Sequence, residues 1–170
     1  SYPRVKKFFF LFIFILSFSK ANSENFKFIK IANLNNPWGS SFLNNDEMII
    51  TEKSGLIKIV NIINNQVNDV EHNLNFLEDG QGGLLDILHQ ENKVWISYTE
   101  NRGNRKTSTS IALANLDKKN LVFKNIFQAN PPINSGYHFG SRLAIKDNYL
   151  YASAGERGKG MIAQDASKHP

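Results

Sequence analysis

MIITEKSGLIKIV, residues 48–60, decides how the chain is read. Two β-branched runs, MIIT (48–51) and LIKIV (56–60), flank EKSG (52–55), with Ser54-Gly55 as the reversal. Branched side chains suit a pleated strand, and a serine–glycine pair suits the turn between two of them. The pattern continues outward. Upstream, GSSFL (39–43) ends in the turn triplet Asn44-Asn45-Asp46. Downstream, LIKIV leads to NIINNQ (61–66), and later come LLDIL (84–88), VWISYTE (94–100), SIALANL (110–116), LVFKNIF (121–127), RLAI (142–145) and YLYASAG (149–155). Asp147-Asn148 separates the last two, and DKKN (117–120) reads as a hairpin tip. Such runs recur at a spacing of roughly 8–12 residues, and no long helical periodicity interrupts them. The class is all-β: a meander belonging to a sandwich, a barrel or a propeller. A propeller blade is a four-stranded meander of about 40–50 residues. The segments near 39–70, 84–130 and 142–170 have about that size, the third being incomplete. Two and a half blades leave open sheet edges, so the chain is expected to be the N-terminal part of a longer protein.

The totals narrow the function. The 170 residues contain no cysteine, which removes disulfides, thiolate metal sites and a cysteine nucleophile. The formal charge of +5 is concentrated at one end. Arg4, Lys6, Lys7 and Lys20 lie within the first 21 positions, which hold no acidic residue. Residues 22–170 carry 16 basic and 15 acidic side chains, so nucleic acid is not an expected partner. The first 21 residues have the layout of an export signal. A basic start precedes FFFLFIFILSF (8–18), and Ser19 and Ala21 supply small residues for cleavage. The apolar run is short of the about 20 residues that a membrane span needs. The expectation is a signal peptide at 1–21, a partial propeller domain at 22–170, no stable membrane span after cleavage, and a periplasmic or secreted protein.

Three stretches carry possible chemistry. In NSGYHFGSRL (134–143), His138 stands between two aromatics and two glycines. An imidazole exchanges its proton near neutral pH, and the flanking rings could wall a planar ligand. A packed, non-catalytic histidine is the other reading. In GQGGLLD (80–86), three glycines around Gln81 either join two blades or present an amide at a pocket rim. AGERGKG (154–160) lacks the hydroxyl residue and helix of a phosphate loop. Its Glu156, at a strand end, is either solvated or placed to orient a histidine from a neighbouring loop. His72, His89 and His169 do not have metal-ligand spacing. Arg102, Arg105 and Lys106 read as a solvated hairpin tip.

Eight stretches in one order carry a family resemblance: NNPWGSSFL (35–43), MIITEKSGLIKIV (48–60), GQGGLLDILH (80–89), VWISYTE (94–100), IFQANPP (126–132), HFGSRLAI (138–145), AGERG (154–158) and AQDASKHP (163–170). The series resembles the glucose/sorbosone dehydrogenase family, in particular its soluble aldose sugar dehydrogenases that use pyrroloquinoline quinone (PQQ). The resemblance implies a six-bladed β-propeller in the full protein, with this chain covering roughly its first half. It implies oxidation of aldose sugars at C1 to lactones, with hydride passing to the quinone. His138 would then be the general base and Glu156 the acid that holds it, although many relatives have Asp there. Gln81 would line the substrate side, and Arg142, four residues beyond the base, joins it as a candidate pocket residue. Calcium is expected with the quinone, its ligands mostly beyond residue 170. The respiratory chain is the expected electron acceptor. Two readings stand beside this one: a non-catalytic carbohydrate-binding propeller, against which Gln81, His138 and Glu156 together argue, and a propeller sugar lactonase, whose metal-binding carboxylate and asparagine set has no match here.

Overall fold

The computed structural model describes residues 26–165 and 167; the expected export segment and His169 lie outside them. The chain divides into residues 1–30, of which 26–30 are described and carry no regular structure, and residues 31–170, which hold every strand. Among the described residues no helix is long and apolar enough to cross a membrane.

The first sheet is a four-stranded antiparallel meander: β1 (Pro37–Phe42), β2 (Glu47–Glu52), β3 (Ile57–Asn61) and β4 (Val67–His72). The second contains β5 (Leu84–Gln90), β6 (Lys93–Asn101), β7 (Thr107–Asn115) and β9 (Lys124–Gln128). The third is the pair β10 (Gly140–Lys146) and β11 (Tyr149–Ala154). The turn residues act as their chemistry suggests. Asn44 Oδ1 accepts the amide hydrogens of Asp46 (2.9 Å) and Glu47 (3.0 Å) and closes the β1–β2 turn. Asp147 and Asn148, with φ of 50° and 63°, form the two-residue link of the β10–β11 hairpin, matching the twist of its strands.

Two elements depart from the reading above. β4 falls at Val67–His72, where the sequence reading names no run. LVFKNIF (121–127) is not one strand. Asn120–Leu121 (β8) pairs in parallel with β4 of the first sheet, and only Lys124–Gln128 joins the second. The cause is burial. Leu121 and Phe123 belong to the apolar core along with Ile49, Ile59, Ile87 and Ile96. Asn73 then clamps the break: its Oδ1 accepts from Phe123 N (2.8 Å) and its Nδ2 donates to Phe123 O (3.1 Å).

Side-chain hydrogen bonds join adjacent sheets at two junctions. Thr51 Oγ1 donates to Leu85 O across the first junction. Across the second, Ser97 Oγ donates to Ser141 O (2.6 Å), Thr109 Oγ1 to Phe139 O (3.0 Å), and Leu143 N to the buried Asp86 carboxylate (2.8 Å). These bonds set the height of β10, and so of the loop that precedes it.

Candidate functional site

The loops entering β5 and β10, with the turn after β11, supply Gln81, His138, Gly155, Glu156 and Arg157. His138 lies in the loop before β10. Its backbone has φ of 50°, a left-handed conformation that is uncommon for a side chain of this size. Three contacts hold it there. Its amide donates to Gln81 Oε1 (2.9 Å), its carbonyl accepts from Arg157 N (3.3 Å), and its ring Nδ1 is hydrogen-bonded to Glu156 Oε1. The chain thus brings together residues 57 and 18 positions apart. The ring is half exposed, and its Nε2 has no hydrogen-bond partner among the described residues.

This geometry selects a tautomer. A carboxylate only accepts, so Nδ1 carries the hydrogen and Nε2 presents a lone pair to the open face. The hydrogen bond from His138, reinforced by its charge when protonated, holds the Glu156 carboxyl below its ordinary range. The sign of the pH effect follows. A carboxyl with a depressed pKa keeps its pairing above the ordinary value, about 4.3, and loses it as pH falls through the lower folded value. A carbon-detected NMR titration should place the Glu156 midpoint below that reference. A midpoint at or above it would show that the pair does not form in solution.

The site tolerates no side chain at position 155. A Cβ there would lie 2.1 Å from His138 O and 2.7 Å from its carbonyl carbon. Gly155→Ala must push the loop carrying His138 away from the strand end. The expected result is destabilisation of about 1–3 kcal/mol, the usual scale of overpacking. A denaturation midpoint equal to that of the native protein would contradict the close approach.

Arg157 is the residue that sequence reasoning missed. It follows Glu156 in GERG and is buried. Its Nε donates to Tyr137 O (3.1 Å), Nη1 to Thr107 O (3.1 Å), and Nη2 to Thr107 Oγ1 (2.7 Å) and to Ser135 O. The guanidinium carbon stacks 3.8 Å from the centre of the Phe139 ring. Burial lowers its pKa to about 10, opposed by the charge of Asp79. Nothing in the spacing distinguishes a buried arginine from a solvated one in a glycine-rich loop. The same packing corrects the role suggested for the aromatics. Phe139 lies in the interior beneath Arg157 and cannot wall a ligand, whereas Tyr137 remains exposed with its ring edge toward His138.

Arg142 is held by Asp86 of β5 and makes none of these contacts with His138. Its Nη1 donates to Asp86 Oδ1 (2.9 Å), and the rest of its side chain is exposed. Gln81 is anchored by its own amide on Gly136 O (2.8 Å). The other two described histidines, His72 and His89, are structural. His72 bridges Gly55 O and Leu74 N, and His89 faces Phe42 O and Glu91 O. Arg102 and Lys106 close the β6–β7 hairpin through their backbones. Among the described residues no group of three His, Cys, Asp or Glu side chains could hold a metal ion.

Comparison with known proteins gives this arrangement its context. The family model described as Glucose / Sorbosone dehydrogenase matches residues 34–170. The chain is 30% identical over 145 residues to aldose sugar dehydrogenase YliI of Escherichia coli K12, a match covering 79% of this chain and 39% of that protein. Its fold superposes on a crystal structure of a glucose dehydrogenase with a TM-score of 0.73 at 28% identity, covering 80% of this chain and 42% of the other. The apo-form soluble aldose sugar dehydrogenase of E. coli gives a TM-score of 0.71 at 28% identity, with 78% and 41% covered. The PQQ-bound aldose sugar dehydrogenase of Streptomyces coelicolor, 23% identical with a TM-score of 0.68, shares the fold. The matched part of this chain therefore spans about two fifths of the length of these relatives. The two meanders and the β10–β11 pair are successive blades of a β-propeller, and the chain belongs to the glucose/sorbosone dehydrogenase family.

Proposed function

We propose that the whole protein is a PQQ-dependent aldose dehydrogenase that oxidises the sugar at C1 to a lactone, with His138 as general base. The observation that carries this reading is the half-exposed His138 ring, with Nδ1 held by Glu156 and Nε2 free. Nε2 takes the proton of the C1 hydroxyl, which makes the hydrogen on that carbon a better hydride donor. The imidazolium so formed lies against the Glu156 carboxylate, which lowers the energy of the charged state. Gln81 fixes the backbone of His138, and Glu156 on Nδ1 limits how far the ring can turn while the proton moves.

Pyrroloquinoline quinone, when bound, supplies the two-electron acceptor. The residues present suit such a group. It is flat and bears carboxylates, and Arg142 keeps Nε and Nη2 without partners among the described residues on an exposed side chain. A guanidinium of that kind pairs well with a carboxylate. Arg142 would hold an edge of the group, with the remaining contacts and the calcium ligands beyond residue 170. Residues 1–170 alone should then bind quinone weakly and oxidise no sugar. Stoichiometric quinone binding in a calorimetric titration of this chain would overturn that expectation.

The same reading assigns residues 1–21 to export, the protein to the periplasm or exterior, and its electrons to an acceptor of the respiratory chain. The test is dye-linked oxidation of glucose and other aldoses by the whole protein, reconstituted with quinone and calcium. Quinone-dependent oxidation is expected. A folded, quinone-loaded protein that oxidises no aldose would sink the proposal.

A further inference from the structure

The end of the blades away from His138 carries a hollow of its own. Strands β5 and β10 start near Gln81 and His138 and end at Gln90 and Lys146. At the rise of an extended strand, that far rim lies about 20 Å from the His138 end. The second and third blades part there. Their hydrogen bonds, Ser97 to Ser141, Thr109 to Phe139, and Arg142 and Leu143 to Asp86, all lie nearer the His138 end. Beyond Leu143 no hydrogen bond among the described residues joins the two blades, and the gap is a hollow of about 270 Å³. A pocket for a drug-sized ligand has about 300–1,000 Å³, so this one suits a single ring.

The strand pleat sets what lines it. Val94 and Ile96 enter the core shared with the first blade, so Trp95 between them faces the third. Half-buried Trp95, Ile145 and Leu150 give the hollow an apolar wall, and Tyr149, 69% exposed, stands at the rim. Around that wall are polar groups with no partner among the described residues: the Trp95 indole N–H, the Tyr149 hydroxyl, the Asn148 amide, the Glu91 carboxylate and the Lys93 ammonium. The one anion and the one cation cancel, so the rim selects no net charge. A ligand hydroxyl both donates and accepts, and can therefore meet each of these groups. An apolar wall ringed by such partners fits a neutral sugar ring, with its C–H face inward and its hydroxyls at the rim.

Both turns that frame the hollow are held before any ligand arrives. The His89 ring faces Phe42 O (3.0 Å) and Glu91 O (2.7 Å), and Leu116 N donates to Asn92 O (3.0 Å). Across the gap, Lys146 pairs with Tyr149 and Ile145 with Leu150 in a two-residue hairpin. A preorganised site of this kind binds without first ordering itself. We propose that this hollow holds one ring of a neutral oligosaccharide or polysaccharide without oxidising it, a tether on the end of the blades opposite His138. Its distance from that ring separates it from the chemistry there, and the assignment does not depend on the dehydrogenase reading.

The test is calorimetric titration of the whole protein with cellohexaose, maltohexaose and chitohexaose whose reducing ends have been converted to the alditol. These probes carry no C1 hydroxyl on a closed reducing ring, so they do not report on oxidation at His138. At least one should bind, with equal affinity in the native protein and in His138→Ala. Trp95→Ala should weaken that binding by roughly tenfold or more, the scale of an aromatic anchor. Tyr149→Ala, at an exposed position that the core does not need, should weaken it by roughly threefold. No binding of any of the three probes, binding that both variants retain in full, or binding that is lost in His138→Ala would overturn the tether. Binding that depends on Trp95 and Tyr149 in a protein that oxidises no aldose would sink the dehydrogenase reading and leave the tether standing.

Discussion

Replacing His138 by alanine should lower kcat of the whole, quinone-loaded protein by ~10²–10⁴-fold, the usual contribution of a positioned general base. The side chain reaches into the open face with only Nδ1 engaged, so its removal deletes Nε2 without opening the core. Quinone binding and the unfolding midpoint should therefore change little. Two further readouts separate a base from a structural histidine. The acid limb of the pH–rate profile should disappear in the variant, and added imidazole should restore part of the rate. Glu156→Gln should cost less, about 10–100-fold, because it leaves the ring in place but weakens its orientation and the stabilisation of the imidazolium. A His138→Ala protein that keeps more than a tenth of the native rate would exclude this residue as the base.

The second large effect concerns stability. Arg157→Met should destabilise the whole protein by about 3 kcal/mol. Two terms compete. Taking a guanidinium out of water is costly, and its pKa, lowered to about 10, reflects that cost. Replacing a buried charge by an apolar side chain of similar length can therefore be neutral. Here the partners decide. Arg157 serves the carbonyls of Tyr137, Ser135 and Thr107 on two separate segments, and it is not balanced by a salt-bridging carboxylate. Methionine would leave the Tyr137 and Ser135 carbonyls without that donor, whereas Thr107 O keeps Ile133 N (2.9 Å), and each such loss costs about 1–3 kcal/mol. Some of this is offset because the charge no longer has to be desolvated. Arg157→Lys keeps the charge but not the planar fork, so it should recover less than half of the loss. Urea denaturation of the three proteins measures both effects. A loss below about 1 kcal/mol in Arg157→Met would mean that water or neighbouring groups replace the guanidinium.

Activity should fall with stability in these variants, because the same arginine shapes the base loop. Its backbone amide holds His138 O, its carbonyl accepts from Ser135 Oγ (2.7 Å), and its side chain secures the residues on either side. The site is thus held at three points of one short loop, with Gly155 allowing the strand end to pass beneath it.

The sequence by itself determined the strands and their reversals. Branched runs, Ser54-Gly55, Asn44 to Asp46 and Asp147-Asn148 encode local backbone preferences that act over a few residues, and the structure follows them. Motif order was also enough to identify the family, and the residue types at 81, 138 and 156 marked where chemistry was possible. Only the tertiary structure decided the rest. The meeting of His138 with Gln81 and Glu156 depends on how three loops converge once the blades pack, which no short-range preference records. Leu121 and Phe123 leave one run to cover the core of the preceding blade, because burial there outweighs continuing a strand. Arg157 is buried while Trp38 is exposed, the reverse of what charge and hydropathy favour. Burial is a property of the surroundings rather than of the side chain, so it becomes readable only once the neighbouring blade is in place.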